Sequence, residues 1–85
     1  FTTLNYRTDQ SGFIANITVY DSRGREIRKL AQNELLAREG FFTWDGTFEQ
    51  GRKVPVGYYL FYIELFDLNG EVQVYKETVA VGAKF

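Results

Sequence analysis

Residues 13–20 alternate apolar and polar positions with period two, which puts Phe13, Ala15, Ile17 and Val19 on one face. A second and longer run, residues 58–67, sets Tyr59, Phe61, Ile63 and Leu65 on one side. Its other side carries Tyr58, Leu60, Tyr62, Glu64 and Phe66. Both sides are largely apolar, which predicts a central strand covered at least in part on each face. Residues 72–81 read as the last long strand, residues 40–44 as a strand entering a connection, and residues 4–6 as a first strand. Residues 26–30 are shorter and more polar, as expected of a sheet edge.

Turn chemistry separates these runs. Asp21-Ser22-Arg23-Gly24 offers an Asx acceptor and a glycine for a positive φ, and residues 9–12 are rich in turn formers. Asn69-Gly70 predicts a two-residue hairpin loop, because both residues tolerate φ > 0. Residues 31–39 have a helix-forming composition but are too short to stand alone, and Gly40 closes them. A loop or a single helical turn is expected there. Short strands, turn signals every 8–12 residues or so and no sustained helical period predict an all-β chain. The expected architecture is an Ig-like antiparallel β-sandwich of about seven strands, with residues 1–85 forming a single domain.

Composition sharpens this picture. Fifteen of the 85 residues are Phe, Tyr or Trp, enough large rings to build a core without staples. Cysteine is absent, so no disulfide framework is available. The net charge of −1 lacks the basic excess that phosphate binding demands, which argues against a nucleic-acid partner. No apolar run has the length of a membrane span, so no membrane insertion is expected. The chain opens on Phe1 and contains no Met, as expected of a piece excised from a longer protein.

The densest chemistry lies in residues 44–57, W-D-G-T-F-E-Q-G-R-K-V-P-V-G. With neither His nor Cys, nucleophilic triads and imidazole or thiolate zinc sites are impossible. Asp45 and Glu49 remain as a conceivable acid–base pair or as calcium ligands. The stretch lacks the spacing of a calcium loop, and Asp45-Gly46 is better read as a turn in which the carboxylate accepts backbone N–H groups. Gly51 is expected to serve a turn as well. Pro55 stands before the central strand, where a missing N–H does least harm, and Gly57 is expected to leave room for close packing. No catalytic residue, cofactor or metal is expected. Asn16-Ile17-Thr18 fits a glycosylation acceptor, but an outward-facing strand residue explains it more simply.

The aromatic residues admit two readings. Trp44, Tyr58 and Tyr62 can line a platform that stacks sugar rings, or they can belong to the core and flanks of the sandwich. A tryptophan beside a turn commonly packs under a sheet, which favours the core. Tyr58, Tyr62 and Phe66, if left exposed together, form a patch that calls for a partner.

Taken in order, Ile17-Thr18-Val19-Tyr20-Asp21-x-x-Gly24-Arg25-x-Ile27-Arg28-x-Leu30, Gly40, Trp44-Asp45-Gly46, Gly51-Arg52, Val54-Pro55-Val56-Gly57-x-Tyr59 and Gly70 with Lys76 carry a resemblance. The chain resembles the Ig-like β-sandwich of the flagellar hook-capping protein family. It is equally similar to the C-terminal domains of bacterial type IX secretion cargo, from about Leu4 to Val81. The resemblance implies a non-catalytic domain, either a sorting signal read by an outer-membrane translocon or a structural assembly or spacer module. It places family-motif residues at Pro55, Gly57 and Tyr59 and, in the last hairpin, at Gly70 and Lys76. The implied partners are proteins, a secretion translocon or neighbouring domains of the parent chain, with a glycan as the weaker alternative. The implied location is secreted or on the cell surface, reached through the periplasm of a Gram-negative bacterium. One departure is that residues 82–85 follow the last strand, where the sorting family commonly stops.

Overall fold

A computed structural model describes residues 2–82; the departure at the end of the chain therefore lies mostly outside the described residues. The strands are β1 (Thr2–Arg7), β2 (Ile14–Asp21), β3 (Glu26–Leu35), β4 (Glu39–Trp44), β5 (Gly57–Phe66) and β6 (Val72–Val81). They form a four-stranded sheet in the order β3-β2-β5-β6 and a two-stranded sheet of β1 and β4. All pairings are antiparallel. The chain is thus a small β-sandwich of six strands among the described residues, one fewer than the expected seven.

The period-two pattern does what it predicts on the inner face. Ala15, Ile17 and Val19 of β2 and Tyr59, Phe61 and Ile63 of β5 are buried, and Trp44 closes over them from the other sheet. Trp44 packs edge-on against Tyr59 and Phe61, with centroids 5.3 and 5.9 Å away. Leu4 and Phe42 complete this cluster, while Phe13, Ala15 and Leu36 form a second one at the other end. The β5 strand is central, as expected, but its outer side is only half-buried and Tyr58 is exposed.

Residues 31–39 depart from expectation. There is neither a helical turn nor a simple loop: β3 runs on to Leu35, and β4 already begins at Glu39. Pairing with β2 overrides the helix-forming composition, and the fit is bought with bulges, the register shifting at three places along β2 and β3. Asn33 takes the left-handed conformation there, with φ of 51°. Gly40 terminates nothing; it lies inside β4 opposite Tyr6, whose ring crosses it. The Asn69-Gly70 hairpin also differs from the two-residue prediction. Asp67 N–H donates to the Glu71 carbonyl and Gly70 N–H to the Asp67 carbonyl, so the loop spans residues 68–70. The reason is Asp67 itself, whose Oδ1 accepts N–H groups from Asn69 and Glu71 and so favours the longer loop. The β2–β3 turn repeats this design with Asp21, Arg23, Gly24 and Arg25.

Candidate functional site

The connection from β4 to β5 contains the residues singled out for chemistry, and each is engaged in holding the connection itself. Beyond Trp44 the chain turns at Asp45 and Gly46, the latter with φ of 77°. The Trp44 indole N–H donates to the Thr47 carbonyl at 2.9 Å, and Val54 N–H donates to the Gly46 carbonyl at 2.9 Å. A miniature hairpin follows, with Thr47 bridged to Lys53 and the tip closed by Gly51 N–H on the Phe48 carbonyl. Gly51, with φ of 90°, makes this tip possible. The Arg52 guanidinium lies over the Phe48 ring, 5.3 Å from its centroid.

Two side chains to which the sequence assigned no role organise this loop. Thr47 is buried, and its hydroxyl donates to Asp45 Oδ1 while accepting from Arg28 of β3 at 2.6 Å. Arg28 also sits 3.6 Å from the Asp45 carboxylate. The Thr47 hydroxyl above all, and the charge of Arg28 with it, hold the Asp45 carboxyl below its ordinary value against partial desolvation. The Asp45 carboxylate is thus engaged with Thr47 and Arg28 in holding the loop. Glu49 does not join it: its carboxylate accepts the Lys29 N–H at 3.1 Å. Among the described residues no three acidic or metal-ligating side chains gather around one point. The D-G-T sequence was the visible signal for Thr47; Arg28 lies 19 residues away, and nothing local announces it.

Further along, the Tyr59 hydroxyl donates to the Pro55 carbonyl, four residues upstream. This ties the entry of β5 to the connection in the manner of the tyrosine corner of Ig-like sandwiches. Burial, then the nearby charge of Asp21, pushes the Tyr59 phenol above its ordinary value. Gly57 does not serve close packing, since nothing among the described residues lies within 4 Å of where its Cβ would stand; its φ of 157° is the reason for a glycine. Gly70 closes the last hairpin with φ of 82°.

Trp44 is 1% exposed, which removes it from any sugar platform. The tyrosines instead lie on the outer face of the large sheet. Tyr20 and Tyr62 meet edge to face at 6.2 Å, and the Lys76 ammonium stands 5.9 Å from the Tyr62 centroid. Ile14, Phe66 and Val72 form one cross-strand row of this face with exposed Val74 next to it, and exposed Tyr58 lies at the other end of β5.

Such a chain, with its polar cluster committed to its own strand connection, is an Ig-like β-sandwich of structural type. Residues 2–73 match the FlgD Ig-like domain. The chain belongs to that family of structural, non-catalytic modules. No curated protein and no solved structure matches it.

Proposed function

We propose that this domain is a non-catalytic docking module of a larger bacterial protein, gripped by a protein partner through its β5–β6 hairpin. The observation that carries this reading is the state of β6. The strand is exposed over most of its length, although Val72 and Val74 on its outer face are large and apolar. Apolar groups beside an unpaired strand edge mark a contact surface. Membership of the FlgD Ig-like family supports an assembly or spacer role, in which neighbouring domains of the parent chain are the partner. The test is hydrogen exchange at the Val72, Val74 and Lys76 amides in the parent protein and in the isolated domain. Protection in the parent alone is expected; equal exchange in both overturns the docking reading.

A second reading names the partner as the type IX secretion translocon. Gly70 and Lys76, the last-hairpin residues of the sorting resemblance, fall on this same exposed hairpin. The domain would then travel through the periplasm of a Gram-negative bacterium to the cell surface. Fusing residues 1–85 to a periplasmic reporter in a type IX-competent host separates the two. Reporter at the surface supports sorting, whereas reporter held in the periplasm while host cargo is secreted rules sorting out and leaves docking standing. A glycan on Tyr58 and Tyr62 is the weakest of the three, and glycan titrations that leave tyrosine resonances unmoved discard it.

A further inference from the structure

The two sheets are unequal, and the inequality leaves a groove. Among the described residues, the four-stranded sheet is faced by two strands. Leu4 and Tyr6 of β1 pack on the two core clusters, beneath which lie β2 and the inner side of β5. The inner side of β6 carries Gln73, Tyr75 and Glu77, which the register places beside Leu65, Ile63 and Phe61, and all three are exposed. Between the free edge of β1 and this inner side runs an open groove of about 510 Å³, floored by Phe13, Ile63 and Leu65.

The backbone of β1 is oriented for this groove. Thr8 N–H donates to the Arg38 carbonyl at 2.7 Å, which continues the β1–β4 register by one residue and fixes its phase. In an antiparallel pair, hydrogen-bonded and non-bonded residues alternate. Thr8, Tyr6 and Leu4 therefore bond to the β4 side, and the N–H and C=O groups of Thr3, Asn5 and Arg7 point away from it. Among the described residues no backbone group pairs with them, and they form a row along the groove.

We propose that the free edge of β1 and the inner side of β6 form an acceptor site for one extended polypeptide segment of a partner protein. The segment becomes the third strand of the small sheet. The site is separate from the outer face and β6 edge on which the proposed function rests. The β1 of a second copy is a poor occupant, because its Leu4 and Tyr6 are already packed on that copy's own core clusters. The occupant is a strand with no sheet of its own behind it.

Register specifies its chemistry. Residues of an antiparallel guest opposite Leu4 and Tyr6 point inward over Leu65 and Tyr75 and are apolar. Glu77 on the far wall disfavours an acid at either of these positions. The guest residue opposite Arg7 points outward. Arg7 already meets Glu39 on its β4 side at 3.2 Å and is otherwise exposed, so an acidic residue on the guest side extends a cross-strand charge row. Read in its own direction, the guest is acidic, apolar, polar, apolar, polar.

The experiment uses residues 1–85 and a fluorescent panel of nine-residue peptides that carry this five-residue pattern with varied apolar and polar choices. Binding is read by anisotropy. The best peptides are expected to saturate, and the amides of Thr3, Asn5 and Arg7 to gain exchange protection. Asn5→Pro removes a groove-facing N–H while leaving the β1–β4 bonds intact, and it is expected to raise Kd by about tenfold or more with an unchanged melting profile. Tyr75→Asp, on an exposed wall residue, provides a second variant with the same expected loss. The proposal is overturned if no peptide binds with Kd below about 1 mM. Binding indifferent to Asn5→Pro, or protection at Val74 and Lys76 in place of the β1 amides, overturns it equally.

Discussion

Asn16 and Asn33 hold each other across β2 and β3. Asn16 Oδ1 accepts the Asn33 backbone N–H at 3.0 Å, and Asn16 Nδ2 donates to Asn33 Oδ1 at 3.3 Å. The pair fixes the bulge at which Asn33 takes its positive φ of 51°. Asn16→Ala is expected to cost about 1–2 kcal/mol, by urea unfolding, because the bulge loses both bonds. Asn33→Gly keeps the backbone conformation and is expected to cost less than Asn33→Val, which opposes it. Equal losses for the two would show that the left-handed residue is not under strain.

Trp44 is the keystone of the larger core cluster. Trp44→Ala is expected to cost about 3–5 kcal/mol, much of what a domain this small possesses. The native protein should show blue-shifted tryptophan emission that acrylamide quenches poorly. Red-shifted, readily quenched emission would put the ring at the surface.

Tyr59 predicts behaviour at alkaline pH. Its folded-state pKa is raised, so the unfolded chain ionises first as pH climbs past 10.0 and stability falls from there upward. Tyr59→Phe loses the bond to Pro55 and is expected to be about 1 kcal/mol less stable at neutral pH. The variant should lose less between pH 9 and 11 than the native protein, roughly in proportion to the raised pKa. Parallel pH profiles for the two proteins would refute the assignment.

Asp21 predicts behaviour in acid. Backbone N–H bonding from Arg25, with its guanidinium 2.8 Å away, lowers the Asp21 pKa from 3.8. A depressed folded pKa contributes stability that is complete above 3.8 and is lost as pH falls through the lower folded value. Asp45, also lowered, acts in the same window. Urea midpoints should therefore drop below about pH 4, and Asp21→Asn should flatten that drop. An unchanged slope in the variant would count against it.

Gly40 faces the Tyr6 ring so closely that a Cβ would stand 2.6 Å from the phenol oxygen. Gly40→Ala is expected to cost about 1–3 kcal/mol, by thermal melting. Tyr6→Leu should remove most of that penalty in the double variant, because the clash needs both partners. Additive losses would mean that the glycine is required for another reason.

Much of this was legible in the chain. Ile17, Val19, Phe61 and Ile63 lie on the core face that their alternation assigns them. The Asp21 turn was readable because the acceptor and the glycine sit within one short stretch. The same D-x-x-G spacing recurs at Asp67, yet Asn-Gly is a strong two-residue signal on its own and masked the longer loop. Residues 31–39 were not legible, since what makes them a strand is the β2 backbone, which local composition does not encode. The candidate site divides in the same way. Asp45, Gly46 and Gly51 could be read as turn formers from the stretch itself, whereas Arg28 reaches Thr47 from another strand.

The two margins of the large sheet are built differently. Along β3 the pairing is interrupted three times, whereas β6 keeps unbroken register with β5 through all ten residues. A body with two regular margins can add copies end to end without limit; a body with one can only be terminated. Growth of a fibre by sheet extension needs a second receptive margin, and the irregular β3 denies it. Sheet extension at the regular β6 margin therefore ends after one added partner.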